Sequence, residues 1–423
     1  MALNETLSKT SVYSMLSDYG RRMYVPKGII IQSGEAKKKA TKYNATIGVA
    51  LEHGTAMFIP GMKKQFAESM TPGEIFPYSP MGGNATLRQV WKDEMVRKNP
   101  LLAGKTTSLP VVCSGLTNAL SIVASLFLDK DDEVVLPSMY WENYDLILDE
   151  QRQAKKVFFD LFKGNGFNLE GFEKAILSTK GEKVAVLLNF PNNPTGYTPT
   201  NAESDAIAAT LKRIADTGKK LIVISDDAYF GLFFEKDVCT QSLFAKVCDL
   251  SENILAIKCD ASTKEEMAWG FRVAFITYSF KGCDEATLDA ITQKTMGAVR
   301  GTLSNCSTSA QNILLKGMQD PNYHEDKAEG IAKIGRRYEI FLKALEKYKD
   351  DENLKPYPFN SGYFMSFETK CLAEDLRQHL LNNYQTGTVR LGDHLLRIAF
   401  SSIDEENLEG LVDTVYKAAS DIC

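Results

Sequence analysis

The sequence has 423 residues, of which 44% are hydrophobic and 24% charged, and its formal net charge is −5. A chain of this length exceeds what one typical core supports, so two packed domains are expected. The slight acidic excess gives no electrostatic reason to expect nucleic acid or an anionic membrane as a partner.

The N-terminus and the cysteines are typical of a soluble protein in a reducing compartment. The first 16 residues contain Glu5 and lack the apolar core of a secretory signal. No segment approaches the roughly 18 apolar residues of a membrane span. The eight cysteines form no CxxC pair and no metal-ligand spacing with the four histidines. We therefore expect no metal site, free thiols and a cytoplasmic location.

Between about residues 105 and 280, short β-branched runs alternate with helical stretches. The runs are continuously apolar, which is typical of strands buried on both faces. The predicted strands are 109–114, 132–138, 155–161, 183–190, 219–226, 253–260 and 272–278. Helices are predicted at 118–128 and 201–218, with Asn201 as the N-cap of the second and Gly218 just past its end.

After residue 284 the pattern predicts long helices and then a second, smaller α+β unit. The long helices are predicted at 285–318 and 326–348. The smaller unit is predicted to have strands at 362–368 and 395–400 and helices at 373–383 and 405–419. We divide the chain into an N-terminal segment (1–55) that packs on the smaller domain, a large domain (56–315) and a C-terminal domain (316–423).

The repeated strand–helix–strand pattern predicts an α/β fold with a mainly parallel seven-stranded sheet in the large domain. Parallel crossovers are right-handed, so the turns that leave the carboxyl ends of the strands gather at one edge of the sheet. Open α/β sheets bind their ligands along that edge. Residues directly after predicted strands are therefore the first candidates for a functional site.

The first two of these turns offer an anion site and an aromatic face. Gly115 opens the turn before a predicted helix, whose backbone N–H groups and dipole favour an anion. By itself this turn is better explained as an ordinary helix start. Tyr140 or Trp141 could provide a flat face for an aromatic ring, although aromatic residues in loops more often serve packing.

The later turns carry polar and charged side chains. Asn193 stands in an Asn-Pro-Thr-Gly turn, where its amide can donate a hydrogen bond. Asp226 ends a predicted buried strand, a costly position unless the carboxylate has a cationic partner. Lys264 follows the next strand and Arg272 lies eight residues further on. Taken singly, a turn, a helix cap and surface charges would explain these residues.

In combination and in this order, the motifs resemble the fold-type-I enzymes that use pyridoxal 5′-phosphate (PLP), specifically the class I/II aminotransferases. The shared motifs are the Asn-Pro-x-Gly turn at 193–196, the Asp-x-x-Tyr strand end from Asp226 to Tyr229, and the Lys264/Arg272 spacing. The segments 78–88 and 394–402 match two further motifs of the family. The resemblance runs from about residue 78 to residue 402, most of the chain.

The resemblance implies roles around the ring of PLP. Lys264 would carry the cofactor as a Schiff base and, once freed by substrate, move the proton. Asp226 would keep the pyridine nitrogen protonated. Asn193 and Tyr229 would hydrogen-bond the phenolic oxygen, and Tyr140 would stack on the ring face.

The resemblance also implies a phosphate site. Gly115, Leu116 and Thr117 would bind the phosphate through the turn, and Arg272 would neutralise it. Tyr78 would reach it from the neighbouring subunit of a homodimer.

Two departures from the family pattern bear on the site. Where the family often has a phosphate-contacting serine three residues before the lysine, this chain has Ala261, so Ser262 or Thr263 would compensate. The N-terminal segment that contacts substrate in the family is not clearly recognisable, and residues 44–48 are the best candidate.

Substrate recognition is expected from two arginines. By resemblance Arg397, together with Asn193, would bind the α-carboxylate of the substrate, since a guanidinium can bind it bidentately. Arg300 stands five residues before Asn305, a spacing found in the aspartate aminotransferase branch, where the arginine crosses the dimer interface. We take as a hypothesis that Arg300 favours a dicarboxylic amino acid; a helix-surface arginine is the competing explanation.

The leading functional prediction is amino-group transfer from an L-amino acid to a 2-oxo acid by a ping-pong mechanism. A PLP-dependent β-lyase would use the same cofactor site, so the motifs leave it open. A non-catalytic regulator with this fold is a weaker alternative, because the whole set of cofactor and substrate residues is present. A nucleotide-binding Rossmann enzyme is disfavoured, because neither GxGxxG nor GxxxxGK[ST] follows a strand.

Overall fold

The computed structural model of the protein describes residues 4–5, 8, 12–24, 28–66 and 70–423. At its centre lies a seven-stranded sheet, formed by all seven strands that the apolar runs predict. Its strands are, in chain order, β1 (Val111–Cys113), β2 (Glu133–Pro137), β3 (Lys155–Phe159), β4 (Lys183–Asn189), β5 (Lys220–Asp226), β6 (Ile254–Ala261) and β7 (Ala274–Ser279).

The sheet is mostly parallel, as predicted. The spatial order of the strands is β1-β7-β6-β5-β4-β2-β3. Strand β7 is antiparallel to both of its neighbours, β6 and β1, and the remaining pairs are parallel. The carboxyl ends of β4, β5 and β6 therefore lie side by side.

The central strands are buried on both faces, which explains their continuous apolar runs. In β4, Ala185 and Leu187 contribute to one hydrophobic core, whereas Val184 and Val186 contribute to a second core. Successive side chains of a strand point to opposite faces, so the two cores lie on opposite faces of the sheet.

Helices cover this sheet and build much of the rest of the molecule. The longer helices are α1 (Ile29–Lys39), α2 (Ala85–Lys98), α3 (Leu116–Phe127), α4 (Leu169–Ser178), α5 (Asn201–Ala215), α6 (Glu285–Leu303), α7 (Thr308–Met318), α8 (Tyr323–Leu345), α9 (Ala373–Asn383) and α10 (Leu408–Ile422). Shorter helical segments are Val12–Met15, Asp18–Arg22, Pro60–Lys64, Pro72–Ile75, Pro100–Leu102, Asp145–Glu150, Leu243–Val247, Trp269–Phe271, Glu346–Tyr348, Phe400–Ser402 and Glu405–Asn407.

Two helix predictions need correction. The helix predicted at 285–318 is two helices, because the backbone turns at Ser304, whose φ is +68°, and Ser307 caps α7 by accepting from the Ala310 N–H. Helix α5 is capped by Thr200 and not by Asn201, because Thr200 and Glu203 form a reciprocal capping box.

A smaller antiparallel sheet follows the long helices, as predicted. Its strands are β8 (Leu354–Pro356), β9 (Phe364–Thr369), β10 (Val389–Arg390) and β11 (Leu395–Ala399), in the order β8-β9-β11-β10. Helix α9 has the predicted bounds, and α10 begins three residues later than predicted because 405–407 form a 3-10 turn. Two-residue strands elsewhere are Tyr43–Asn44, Leu51–Glu52, Thr55–Ala56, Phe162–Lys163, Gly166–Phe167 and Thr386–Gly387.

The described part of the N-terminal segment packs on this C-terminal unit. The strand Tyr43–Asn44 pairs in parallel with Thr386–Gly387. The Gln32 side chain both donates to the Arg390 carbonyl oxygen and accepts from the Arg390 N–H. These contacts support the proposed three-part division, whose boundaries stay a prediction.

The cysteines depart from the expectation of eight free thiols. Cys371 and Cys423 form a disulfide across a sequence separation of 52 residues, and the other six are free. Packing of α10 against α9 brings the two residues together, with their Cα atoms 4.8 Å apart. Among the described helices, none combines the length and apolarity needed to cross a membrane.

Candidate active site

The candidate site lies at the carboxyl ends of β4 and β5. Asn189 and Asp226, the last residues of these strands, are register partners, and the Asn189 amide donates to the Asp226 carbonyl oxygen at 2.8 Å. The turn after β4 folds back because the Asn193 N–H donates to Asn189 Oδ1 at 2.8 Å. Here a cavity with a volume of about 180 Å³ opens.

Most residues singled out after the strands line this cavity. Its walls are formed by Leu116, Thr117, Trp141, Asn189, Asn193, Asp226, Ala228, Tyr229, Thr263, Lys264 and Arg272. They come from segments far apart in the chain, which the parallel sheet brings to one edge.

Asp226 is a buried carboxylate at the base of the cavity, only 2% exposed. It accepts hydrogen bonds from the Tyr144 hydroxyl at 2.5 Å and from the Ala228 N–H at 3.1 Å. Burial raises its pKa to about 6, against the lowering effects of the Tyr144 hydrogen bond and the Lys264 charge. Such a group favours a cationic partner, and the protonated nitrogen of a pyridine ring would be one.

Sequence reasoning missed Tyr144. This side chain is buried, and its ring packs edge-on against Trp141 with centroids 5.6 Å apart. It therefore holds both the carboxylate and an aromatic wall of the cavity. The only hint in the sequence was its position in the aromatic segment 140–144 after β2.

Lys264 faces Asp226 from the loop after β6. Its Nζ lies 4.8 Å from the centre of the Tyr229 ring. Burial lowers its pKa to about 8, helped by the positive charge of Arg272 and opposed by Asp226. Tyr229 itself is buried, and burial raises the pKa of its hydroxyl. An amine with a pKa near 8 is neutral often enough at physiological pH to act as a nucleophile or a base.

An anion cradle lies at the start of α3. Gly115 precedes the helix with a φ of +80°, and a Cβ added there would come within 2.1 Å of Nη2 of Arg272. The guanidinium therefore lies directly against this turn. The first N–H groups of a helix have no intrahelical acceptor, so those of Leu116 and Thr117 are free to bind an anion.

Thr263 adds a hydroxyl to the cavity wall. Its Oγ1 is buried and has no hydrogen-bond partner among the described residues. An unpaired buried hydroxyl is costly unless a ligand satisfies it. The cradle, this hydroxyl, the Asp226 carboxylate and the Lys264 amine fit the phosphate, ring nitrogen and aldehyde of PLP.

Arg397, in β11, extends the site towards the smaller sheet and is 2% exposed. Its Nη1 donates to Asn193 Oδ1 at 2.9 Å and its Nη2 to the Thr46 carbonyl oxygen at 3.1 Å. The buried Nε has no hydrogen-bond partner among the described residues. Its guanidinium lies 4.1 Å from the centre of the Phe364 ring, and burial lowers its pKa to about 10. This buried cation, with a donor to spare, could bind a carboxylate.

The family model for aminotransferases of class I and II matches residues 48–415. The chain belongs to this family. A probable aspartate/prephenate aminotransferase of Aquifex aeolicus is 26% identical over 332 residues, which cover 76% of this chain and 73% of that relative. Family membership and the named relatives make this protein a PLP-dependent aminotransferase.

Solved structures share the fold. An aminotransferase from Anaerococcus prevotii superimposes with a TM-score of 0.83 at 23% identity, covering 93% of this chain and 97% of that one. The kynurenine aminotransferase of Pyrococcus horikoshii gives a TM-score of 0.80 at 16% identity, with coverage of 98% and 99%. Both likenesses extend over nearly the whole chain.

Two residues of the aminotransferase lie elsewhere than expected. Tyr140 donates to Asp145 at 2.8 Å and stacks on Phe158 outside the cavity wall, so of these two neighbours it is Trp141 that lines the cavity. The Ser262 hydroxyl donates to the Val273 carbonyl oxygen at 3.2 Å, so the neighbouring Thr263 faces the cavity instead. In both pairs, adjacent side chains point in different directions, so that the second residue of the pair faces the cavity and the first does not.

Tyr78 and Arg300 are absent from the cavity wall of the single chain. Tyr78 is 90% exposed, and Arg300 is an exposed residue of α6 whose Nη1 donates to Ser304 Oγ at 2.5 Å. The expected roles of both residues require a second subunit and stay predictions.

Residues 44–48 do reach the site. The Thr46 carbonyl oxygen holds Arg397, as described above, and Gly48 packs against Phe364 near the Tyr229 hydroxyl. This segment therefore lies against Arg397 and Phe364.

Proposed function

We propose that this aminotransferase moves the amino group of a dicarboxylic L-amino acid to a 2-oxo acid by a ping-pong mechanism, as a homodimer. The observation that carries the proposal is that Lys264 and Asp226 line one cavity and that Arg397 donates a hydrogen bond to Asn193 in the wall of that cavity. An amine, a carboxylate and a guanidinium are the groups that amino-group transfer on PLP requires.

PLP, when bound, supplies the electron sink that makes the Cα–H bond of an amino acid acidic. Asp226 would hold the ring nitrogen in its protonated form, and Tyr144 would hold Asp226 in place. The amine of Lys264, once released, would take the proton from the substrate Cα and return it to the cofactor side. Thr117, Thr263 and Arg272 would anchor the phosphate.

Arg397 would bind the α-carboxylate of the substrate, with Asn193 and Thr46 fixing the plane of its guanidinium. The unpartnered Nε is a donor that such a carboxylate could satisfy. Burial strengthens this interaction, because water does not screen it.

The choice of a dicarboxylic substrate is supported by Arg300 and by the relatives. Several of these are named as aspartate or aspartate/prephenate aminotransferases. In the single chain Arg300 is exposed, so it is free to cross a subunit interface and bind a distal carboxylate.

A homodimer is supported by an exposed apolar surface beside the site. Phe66, Phe76 and Tyr78 are 66%, 79% and 90% exposed. The Phe66 ring lies 5.9 Å from the ring of Phe271, the residue before Arg272. Large exposed aromatic side chains are typical of a protein interface.

A cytoplasmic location is also part of the proposal. It is supported by the cysteines, because six of the eight are free thiols, as is usual in a reducing compartment. The disulfide Cys371–Cys423 is the exception to this pattern.

The first test is the absorption spectrum of the purified holoenzyme while amino acids are added singly without an oxo acid. We expect aspartate or glutamate to bleach the cofactor band and an oxo acid to restore it. Pyruvate and ammonia accumulating under a persistent band would instead indicate a β-lyase. A protein that binds no PLP would contradict the proposal.

The second test replaces Arg300 with alanine. We expect kcat/KM for aspartate to fall by roughly 10- to 100-fold, because one charge-assisted contact to the distal carboxylate is lost. Activity on alanine, which has no distal carboxylate, is the control and should not change. Equal activity of the variant and the wild type on aspartate would remove Arg300 from substrate recognition.

A further inference from the structure

The loop that carries Lys264 lacks regular secondary structure. It follows β6 and consists of hydrogen-bonded turns from Ser262 to Glu266. The Lys264 carbonyl oxygen accepts from the Tyr363 hydroxyl at 3.0 Å and from the Met267 N–H at 3.1 Å. The Ser262 N–H donates to the Val273 carbonyl oxygen at 3.1 Å, and the Ala268 N–H donates to the Ser262 carbonyl oxygen at 3.3 Å. These bonds fix the two ends of the loop, and the side chains of the residues after Lys264 add further contacts.

Glu265 and Glu266, the residues directly after Lys264, are not in the cavity wall and enter a buried ion network. We define this network as Lys98, Glu265, Glu266, Tyr323 and Lys327. Lys327 Nζ lies 2.8 Å from Glu265 Oε1 and 2.7 Å from Glu266 Oε1. Lys98 Nζ lies 2.6 Å from Glu265 Oε2, and the Tyr323 hydroxyl donates to Glu266 Oε1 at 2.9 Å.

The network is nearly closed to solvent. The side chains of Glu266, Lys327, Glu265 and Lys98 are 0%, 6%, 8% and 11% exposed. Its partners come from two helices that are distant in sequence, α2 (Lys98) and α8 (Tyr323 and Lys327). The network therefore connects the loop after β6 to helices α2 and α8.

The charges in and around the network balance. Glu94 lies 3.6 Å from Lys327 and pairs with Arg97. Three carboxylates therefore face three cations, so the formal charges of this group of side chains sum to zero. A balanced buried network is a weak source of net stability, because desolvation offsets most of the attraction between its charges. Its ion pairs instead require one geometry of the chain that carries them.

We propose that the buried ion network is a positioning device for Lys264. By holding the two residues that follow it, the network fixes the loop so that the amine projects into the cavity beside Asp226. Lys327 is the central positioning residue, because its ammonium group bridges both glutamates. The proposal rests on the proposed function, in which Lys264 binds the cofactor.

The test measures how fast cofactor-free protein captures PLP. The Lys264 amine condenses with the aldehyde and releases water, and the absorbance of the new C=N bond gives the rate. Borohydride then reduces this bond, so that mass spectrometry of peptides locates the labelled lysine. For Lys327→Met we expect capture at Lys264 to slow roughly tenfold or more, because small misplacements of a reacting group are costly.

Arg377→Met is the matched control. Arg377 is also a buried cation, 4% exposed, which pairs with Glu35 and Glu374 away from the loop. Both variants should lose thermal stability, but only Lys327→Met should capture PLP slowly. The double variant Glu266→Gln/Lys327→Met should regain part of the capture rate. In this variant glutamine replaces the Glu266 carboxylate, which Lys327→Met leaves without its cation.

Lys327→Met with a lowered melting temperature and the wild-type capture rate would overturn the proposal. If that variant does not fold, Glu265→Gln is used in its place, because it keeps the shape of the side chain and removes its charge. A wild-type rate of PLP capture in Glu265→Gln would also overturn the proposal. If wild-type protein is labelled elsewhere than at Lys264, the proposed function fails, and this proposal fails with it.

Discussion

At the scale of single residues, burial sets the chemistry of the site. Asp226, Lys264 and Arg397 all have pKa values displaced towards their neutral forms, to about 6, about 8 and about 10, mainly because each is removed from water. When the charged groups of cofactor and substrate are absent, burial of these ionised side chains lowers the free energy of unfolding.

This cost predicts a pH dependence of stability in the cofactor-free protein. The pKa of Asp226 is raised by folding, so its stabilising contribution is complete below about pH 4 and lost as the pH rises through about 6. A shift of two units corresponds to about 3 kcal/mol in the free energy of unfolding. Urea unfolding of the wild type and Asp226→Asn should therefore diverge over this interval. A difference that stays constant between pH 4 and pH 7 would contradict the assignment.

At the scale of elements, the start of α3 shows how a turn and a helix create a binding site. Gly115 has the positive φ that lets the chain enter the helix with its first N–H groups facing the cavity. Its lack of a side chain also makes room for the guanidinium of Arg272. Glycine is thus required twice, for the backbone conformation and for the close approach.

Gly115→Ala should weaken PLP binding. The added methyl group would displace Arg272 from the cradle, and losing one charge-assisted contact raises the Kd about tenfold or more. Gly104→Ala is the matched control, because its φ is +77° but an added Cβ would meet nothing within 4 Å. Both variants should lose a similar amount of stability, and only the first should lose affinity in a PLP titration. Equal Kd values would show that the approach of Arg272 is unimportant.

At the scale of the whole molecule, contacts between distant segments complete the site. Arg397 comes from the smaller sheet, Thr46 from the N-terminal segment and Asn193 from the large sheet. The substrate site therefore exists only when these parts are packed together. The disulfide Cys371–Cys423 joins the segment just before α9 to the end of α10 within the C-terminal unit.

This disulfide predicts a thiol count and a stability effect. Denatured protein that has not been reduced should show six reactive thiols, and reduced protein eight. Cys423→Ser should lower the free energy of unfolding by roughly 2–4 kcal/mol, because the unfolded chain regains the freedom that the cross-link removes. Cys283→Ser, which changes a free and partly exposed thiol, is the control. Eight reactive thiols without reduction would show that the bond does not form.

Much of the fold could be predicted because its signals are local. All seven strands of the large sheet were recognisable from continuous apolar runs, since burial on both faces demands them. The turns directly after those strands, which carry Asn193, Asp226 and Lys264, were recognisable as candidates because a parallel sheet brings its carboxyl ends to one edge. The resemblance to the family then assigned roles to these residues and to Leu116 and Arg272. The break between α6 and α7 was missed, because a helix-compatible apolar pattern continues across Ser304.

The amino-acid sequence by itself determined the layered α/β architecture, the family and the place in the fold of Lys264, Asp226 and Arg272. Only the tertiary structure decided that Trp141 and Thr263 face the cavity in place of Tyr140 and Ser262, and that Tyr144 holds Asp226. It also decided that Cys371 meets Cys423. The physical reason is that the direction of a loop side chain depends on packing against distant segments, whereas an apolar strand is specified by its own residues.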